Sequence, residues 1–161
     1  MSCDRARAAV SAQVLGGPAA SAWSAGGIAK AAGAPQALAI DIGSTTTDIV
    51  LVADGAPALT THGSVAGVPV RMGMADIESI ALGGGSKVRS TPSGLSFTQA
   101  SDDDAPSLTD ALVVLSELSD DLAPNAVERL SMLDGVEATH IREAALDAMA
   151  ACIVRHAVSR N

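Results

Sequence analysis

The residues best suited to chemistry lie in the octapeptide Asp41-Ile42-Gly43-Ser44-Thr45-Thr46-Thr47-Asp48, set between the apolar runs Ala37–Ile40 and Ile49–Val52. A glycine between two apolar strands allows a tight turn, because it adopts positive φ without a Cβ clash. Such a turn can aim successive N–H groups into one concavity suited to an anion. Ser44, Thr45, Thr46 and Thr47 add hydroxyl donors, as phosphate oxygens require. Asp41 and Asp48 would repel a phosphate unless Mg²⁺ or an activated water stood between them. They are the candidate catalytic carboxylates, with Asp41 also the candidate metal ligand. The alternative is a plain hairpin whose threonines satisfy β propensity and whose acids face water.

A second glycine element, Gly83-Gly84-Gly85-Ser86, follows the apolar segment Ile77–Leu82. Three consecutive glycines leave the peptide surface bare, so a nucleotide's base, ribose or phosphate could lie against it. A flexible connector is the other reading. With β-type sequence on both sides, the expectation is a ligand surface, sharing one nucleotide site with the first turn. Lys87, just beyond, is read as a surface lysine.

Other titratable groups carry less. The run Asp102-Asp103-Asp104 lacks the ligand spacing of a cation loop and reads as a solvated loop. His140 and Glu143 lie one helical turn apart and read as surface electrostatics, and His156 closes an apolar stripe. Cys3 and Cys152 are too isolated to form a ligand pair; Cys152 reads as a small buried hydrophobe.

The elements that must position these residues can be read from pattern. Residues 1–13 are expected to be frayed or disordered, with a short strand or turn near Ala12–Leu15, and 14–161 to form a single domain. A helix is predicted over 19–32, with Pro18 tolerated in its first turn and Gly33 and Pro35 ending it. Gly26 and Gly27 interrupt it at about 1 kcal/mol each relative to Ala, which implies close packing against a neighbour. From Gln36 to about Met74 the pattern is β, with turns at 43–46 and at Asp54-Gly55. Lys87–Arg89 and Leu95–Phe97 bracket the turn sequence Ser90–Gly94. The last third is helical. Ser107 or Thr109 caps a helix through Leu118, a looser helix covers 125–133, and the stripe Ile141, Ala144, Ala145, Ala148, Met149, Cys152, Ile153 marks the buried face of a third.

Composition excludes several classes. A net charge of −8 with ten scattered basic residues does not suit nucleic acid. No run of about 18 apolar residues suggests a membrane span, and no concentrated apolar leader is present, so a cytoplasmic protein with free thiols is expected. One Phe, one Trp and no Tyr leave a core of Ala, Val, Ile, Leu and Met. Small side chains bury less area each at about 25 cal/mol/Å², which favours a covering partner.

Four segments taken in order resemble the hydantoinase/oxoprolinase family: Gly17–Ser21, Ala39–Ile49, Asp76–Ser86 and Pro106–Ala111. The resemblance spans roughly residues 14 to 118, and the closing alanine-rich helix also fits. It implies an α/β fold of mixed β-sheet with flanking helices, half of an actin-like ATPase (ribonuclease H-like) fold in which two related halves clasp ATP. It also implies ATP and Mg²⁺ as cofactors, with Gly43–Thr47 as the second phosphate turn and Gly83–Ser86 beside the nucleoside. The implied activity is ATP-dependent opening of a cyclic amide such as hydantoin or oxoproline, or, as in the acetone and acetophenone carboxylase relatives, activation of a ketone for carboxylation. Thr109 and Asp110 match a Thr-Asp pair at a helix start.

The departures from the family pattern also set expectations. The earlier phosphate turn has no counterpart upstream of residue 14, so the partner expected is the complementary ATPase half or a large subunit. Glu78 stands where a histidine is usual, Ser44 replaces a second glycine, and Thr98–Ala105 replaces a Pro-Gly-Pro-Ala-Cys loop. Two functions follow: a subunit inactive without the other half, or a non-catalytic nucleotide-binding or assembly module.

Overall fold

The computed structural model describes residues 16–65, 68–71, 73–99 and 104–159, with side chains at 64, 65, 68, 70 and 156–159 outside that description. The expectations for residues 1–13 and Ala12–Leu15, for Asp102 and Asp103, and for the His156 side chain fall outside the described residues. The chain forms two compact units, one of residues 1–41 and 48–78, the other of residues 42–47 and 79–161.

In the first unit, helix α1 (Gly16–Ala31) buries Ala22, Gly26 and Ala29, one face at helical spacing. Small residues there let the helix backbone approach the turn at Gly55: a Cβ on Gly26 would lie 2.5 Å from the Gly55 carbonyl oxygen. Gly27, one residue on, meets nothing within 4 Å, so the close packing expected of both glycines holds for Gly26 alone. The helix ends as its sequence suggests. Gly33 takes φ +70, its N–H donates to Lys30, and that of Ala34 donates to Ala29, the Schellman pattern that satisfies the last carbonyls.

Strands β1 (Gln36–Ile42), β2 (Thr47–Ala53) and β3 (Ala56–Pro57) form a sheet in that order, with β8 (Ile77–Ile80) also paired to β2. Asp54 and Gly55, with φ of 52 and 83, make the tight β2–β3 turn, as a two-residue hairpin loop requires. Val50 and Val52 of β2 join Ala22, Ala29 and Ala75 in an aliphatic core. Between β3 and β8 run two short antiparallel pairs: β4 (Leu59–Thr60) with β7 (Met74–Ala75), and β5 (Gly63–Val65) with β6 (Val68–Val70).

In the second unit, β9 (Lys87–Thr91) and β10 (Gly94–Thr98) form an antiparallel hairpin with Leu95 opposite Ser90. Helix α2 (Leu108–Val114) is capped by Ser107 through a full capping box with Asp110. A short 3₁₀ turn at Asp120–Leu122 and helix α3 (Ala126–Leu130) lead to α4 (Ala138–Ser159). Ile141, Ala145 and Met149 of α4 pack with Leu82, Val88, Leu108, Ala111 and Leu130. Of the predicted stripe, Ile141, Ala145 and Met149 are buried by this core and Ala148 packs against it, whereas Ala144, Cys152 and Ile153 are half-buried, so Cys152 is not the fully buried hydrophobe expected. Among the described residues no helix is long and apolar enough to cross a membrane.

Candidate phosphate-binding site

The two glycine elements meet within the second unit. The turn closes on itself through Gly43 N–H donating to Thr46 at 2.8 Å. Gly84 N–H donates to the Gly43 carbonyl at 3.0 Å and Gly85 N–H to that of Ser44 at 2.7 Å. Gly83 N–H donates to Ser86 Oγ at 2.9 Å, and Ser86 N–H returns to Gly83 at 3.0 Å.

The expectation of bare amides after Leu82 is corrected by these bonds, since all four N–H groups of Gly83–Ser86 are spent inside the unit. The glycines are required by protein contact. A Cβ on Gly83 would stand 2.5 Å from Gly43 O, one on Gly85 2.8 Å from Ser44 Oγ, and one on Gly84 2.9 Å from Thr109 Oγ1. The adjoining helix start is tied in as well, because Thr109 donates to the Gly84 carbonyl through both its N–H and its hydroxyl, each at 2.8 Å.

The hydroxyls divide between buried and open. Thr47 is fully buried and donates to the Leu82 carbonyl at 2.7 Å. Ser86 is fully buried too, its Oγ accepting from Gly83 and from Gln99. Gly43, Ser44 and Thr45 are exposed and Thr46 is half-buried. The open donors of the turn are therefore those of residues 44 to 46.

The carboxylates belong to the first unit. Asp41, exposed near the end of β1, accepts a 2.7 Å hydrogen bond on Oδ2 from Ser21 of α1. Asp41 and the half-buried Asp48 both line a cavity of about 440 Å³ between α1 and the sheet, walled by Pro18, Ile28 and Val50. Among the described residues no three His, Cys, Asp or Glu side chains come close enough to hold a metal by themselves. Asp41 and Asp48 are the two carboxylates on this cavity, the number that Mg²⁺ would take from protein when water and substrate phosphate complete its shell.

Lys87 is engaged, its Nζ donating to the Ala105 carbonyl at 3.1 Å. His140 and Glu143 are exposed on α4. Asp110, 1% exposed, is a buried carboxylate with structural partners. It accepts from the Arg129 guanidinium and from the Ser107 N–H and hydroxyl. Burial pushes its pKa up, but the hydrogen bonds from Arg129 and Ser107 outweigh this and hold it below the usual carboxylate value. The same pairing raises Arg129. Two residues not named as site candidates touch the candidate groups: Ser21, which closes the Gly17–Ser21 segment of the family likeness, and Gln99, an ordinary polar residue that no local signal sets apart.

Turn, sheet and flanking helices form a mixed α/β fold, consistent with part of an actin-like fold. A family model described as Hydantoinase/oxoprolinase matches residues 1–153. The chain belongs to the hydantoinase/oxoprolinase family. No curated protein is similar enough to count as a relative. Among solved structures, that of nucleotide-free acetone carboxylase, from work on the mechanism of ATP-dependent acetone carboxylation, matches with a TM-score of 0.60 and 17% identity over 80% of this chain. The chain spans 22% of that carboxylase chain.

Proposed function

We propose that this chain supplies one phosphate-binding turn to a cytoplasmic ATP-dependent enzyme, either a cyclic-amide hydrolase of the hydantoinase or oxoprolinase type or a related ketone carboxylase. The observation that carries this is the exposed Ser44–Thr45 segment held on a frame of backbone hydrogen bonds. Ser44, Thr45 and Thr46 hold phosphate oxygens. Asp41 and Asp48 hold Mg²⁺ or orient a water, with Ser21 fixing the Asp41 carboxylate. Gly83–Ser86 back the turn and carry the nucleoside side of the site. Bound Mg-ATP supplies a transferable phosphoryl group that activates the amide or carbonyl oxygen of the substrate.

Phosphoryl transfer needs the terminal phosphate held from both sides, so the chain works with a complementary half or large subunit and does not turn over alone. Calorimetry of the full chain with Mg-ATP tests this. Binding is expected for the wild type, with at least about tenfold weaker affinity for Asp41→Ala, the loss of one charge-assisted contact. Absence of any heat would leave a purely structural domain.

Glu78, where the family pattern has a histidine, favours a second reading, a nucleotide-binding assembly module without chemistry. Turnover on adding the complementary half separates the two.

A further inference from the structure

We infer that Gln99 is a positioning residue that completes an anion nest formed by the backbone amides of Ser44, Thr45 and Thr46. This deepens the proposed function and rests on it.

In a trans peptide the C=O and the following N–H point in opposite directions. Whatever captures the carbonyl of one residue therefore aims the amide of the next. Gly84 N–H captures the Gly43 carbonyl, which turns the Ser44 N–H the other way. Gly85 N–H captures the Ser44 carbonyl and so turns the Thr45 N–H away as well. The backbone series stops there, because Ser86 N–H is bent back onto Gly83. The third carbonyl, that of Thr45, needs a donor from elsewhere.

Gln99 provides it. Its Nε2 stands 2.6 Å from the Thr45 carbonyl oxygen and 2.7 Å from Ser86 Oγ, with the Ala81 carbonyl at 3.4 Å. The two short contacts use both hydrogens of one amide nitrogen, and oxygen acceptors on every side fix the NH₂ end toward the turn. Capture of the Thr45 carbonyl points the Thr46 N–H in the direction already set for Ser44 and Thr45. Among the described residues, none of these three N–H groups donates to a backbone carbonyl. Three successive unspent amides on one side of a turn make a concavity for a phosphate oxyanion.

The glycine run thus serves the phosphate from behind. Its amides do not touch the anion; they orient the amides that do, and Gln99 extends the set from two to three. A neutral carboxamide suits this task. A carboxylate of the same length would face carbonyl oxygens with no hydrogen to offer, and an apolar chain would leave the Thr45 peptide free to rotate.

The test compares the full-length wild type with Gln99→Met and Gln99→Glu, neither of which donates at that point. Amide NMR reads the Thr46 N–H directly, and calorimetry reads Mg-ATP. Both variants are expected to shift the Thr46 amide resonance and speed its exchange, with Mg-ATP binding about tenfold weaker for Gln99→Met and weaker still for Gln99→Glu. The thermal midpoint should stay nearly unchanged, because the side chain is exposed. Wild-type affinity in Gln99→Met, or a Thr46 amide indifferent to both substitutions, overturns the inference. If the wild type binds no nucleotide, the functional reading fails on its own. The Thr46 amide then decides whether Gln99 orders the turn: altered exchange upholds the positioning role, and unaltered exchange ends it.

Discussion

The hydroxyl of Thr47 and the carbonyl of Leu82, 35 positions apart, are joined by a 2.7 Å hydrogen bond from a side chain with no solvent exposure. That bond ties the first residue of β2 to the segment entering the glycine run.

Thr47→Val keeps the shape and removes the donor, leaving the Leu82 carbonyl without this partner. The expected loss is about 2 kcal/mol, within the range for an unsatisfied buried acceptor. Thr47→Ser keeps the donor and loses one methyl, about 0.8 kcal/mol. Urea unfolding of the three proteins should rank Val below Ser; the reverse order would mean that the methyl, and not the hydroxyl, matters here.

Gly83→Ala places a methyl 2.5 Å from Gly43 O and 2.7 Å from the Ser44 carbonyl. These are backbone atoms and cannot step aside cheaply, so about 2 kcal/mol or more should be lost, as for overpacking elsewhere. Gly84→Ala meets only the Thr109 hydroxyl, at 2.9 Å, and should cost less. Equal stability of the two variants in a denaturant titration would contradict the packing described.

Adjacent glycines of α1 should behave oppositely. Gly26→Ala drives a methyl to 2.5 Å from the Gly55 carbonyl oxygen, whereas Gly27→Ala meets nothing within 4 Å. The first should destabilise by about 2 kcal/mol and the second stabilise by up to about 1 kcal/mol through helix propensity. Thermal melts of both variants check the pair, and a destabilised Gly27→Ala would show that this face of the helix is covered.

Acid should weaken the second unit through Asp110. Its carboxyl titrates below the ordinary value in the folded chain because of Arg129 and Ser107, despite burial. The unfolded chain therefore takes up the proton first. The stabilisation is complete above an unfolded pKa of about 3.9 and is lost as pH falls from there through the lower folded value. Asp110→Asn should cost about 2 kcal/mol at neutral pH by removing the charge-assisted hydrogen bonds from Arg129 and Ser107. Its stability should also fall less steeply than that of the wild type between pH 5 and pH 2. Parallel curves would remove Asp110 from the acid response.

Much of the framework follows from short-range chemistry and was legible on that account. Asp54-Gly55, the Ser107 cap and the Ile141–Met149 part of the closing stripe each state a backbone preference or a burial face within a few residues. Gly43 turns where expected but without the positive φ expected of it; a Cβ there would stand 3.3 Å from the Thr46 carbonyl oxygen. The motif that carries the family likeness is local in the same sense. The use made of the donors was not legible. Gly83–Ser86 reads as open peptide surface in one dimension, yet the amides of Gly84 and Gly85 are consumed by carbonyls some 40 positions earlier, and those of Gly83 and Ser86 by each other's residue. Gly26 and Gly27 are alike in sequence, and only one faces Gly55.

The amino-acid sequence alone determined which segments turn, which strands flank them and that Ser107 caps a helix, because those depend on φ restrictions, capping and periodicity between near neighbours; the first helix starts at Gly16 and not at 19, and the capped helix stops at Val114 short of Leu118. Tertiary structure decided which side each peptide faces. It also decided how the chain, crossing after Asp41, Thr47 and Glu78, divides into two compact units, and that Gln99, an unremarked loop residue, reaches the Thr45 carbonyl. The physical reason is that a hydrogen bond is spent or available only in relation to a distant partner, and no single segment encodes the position of another.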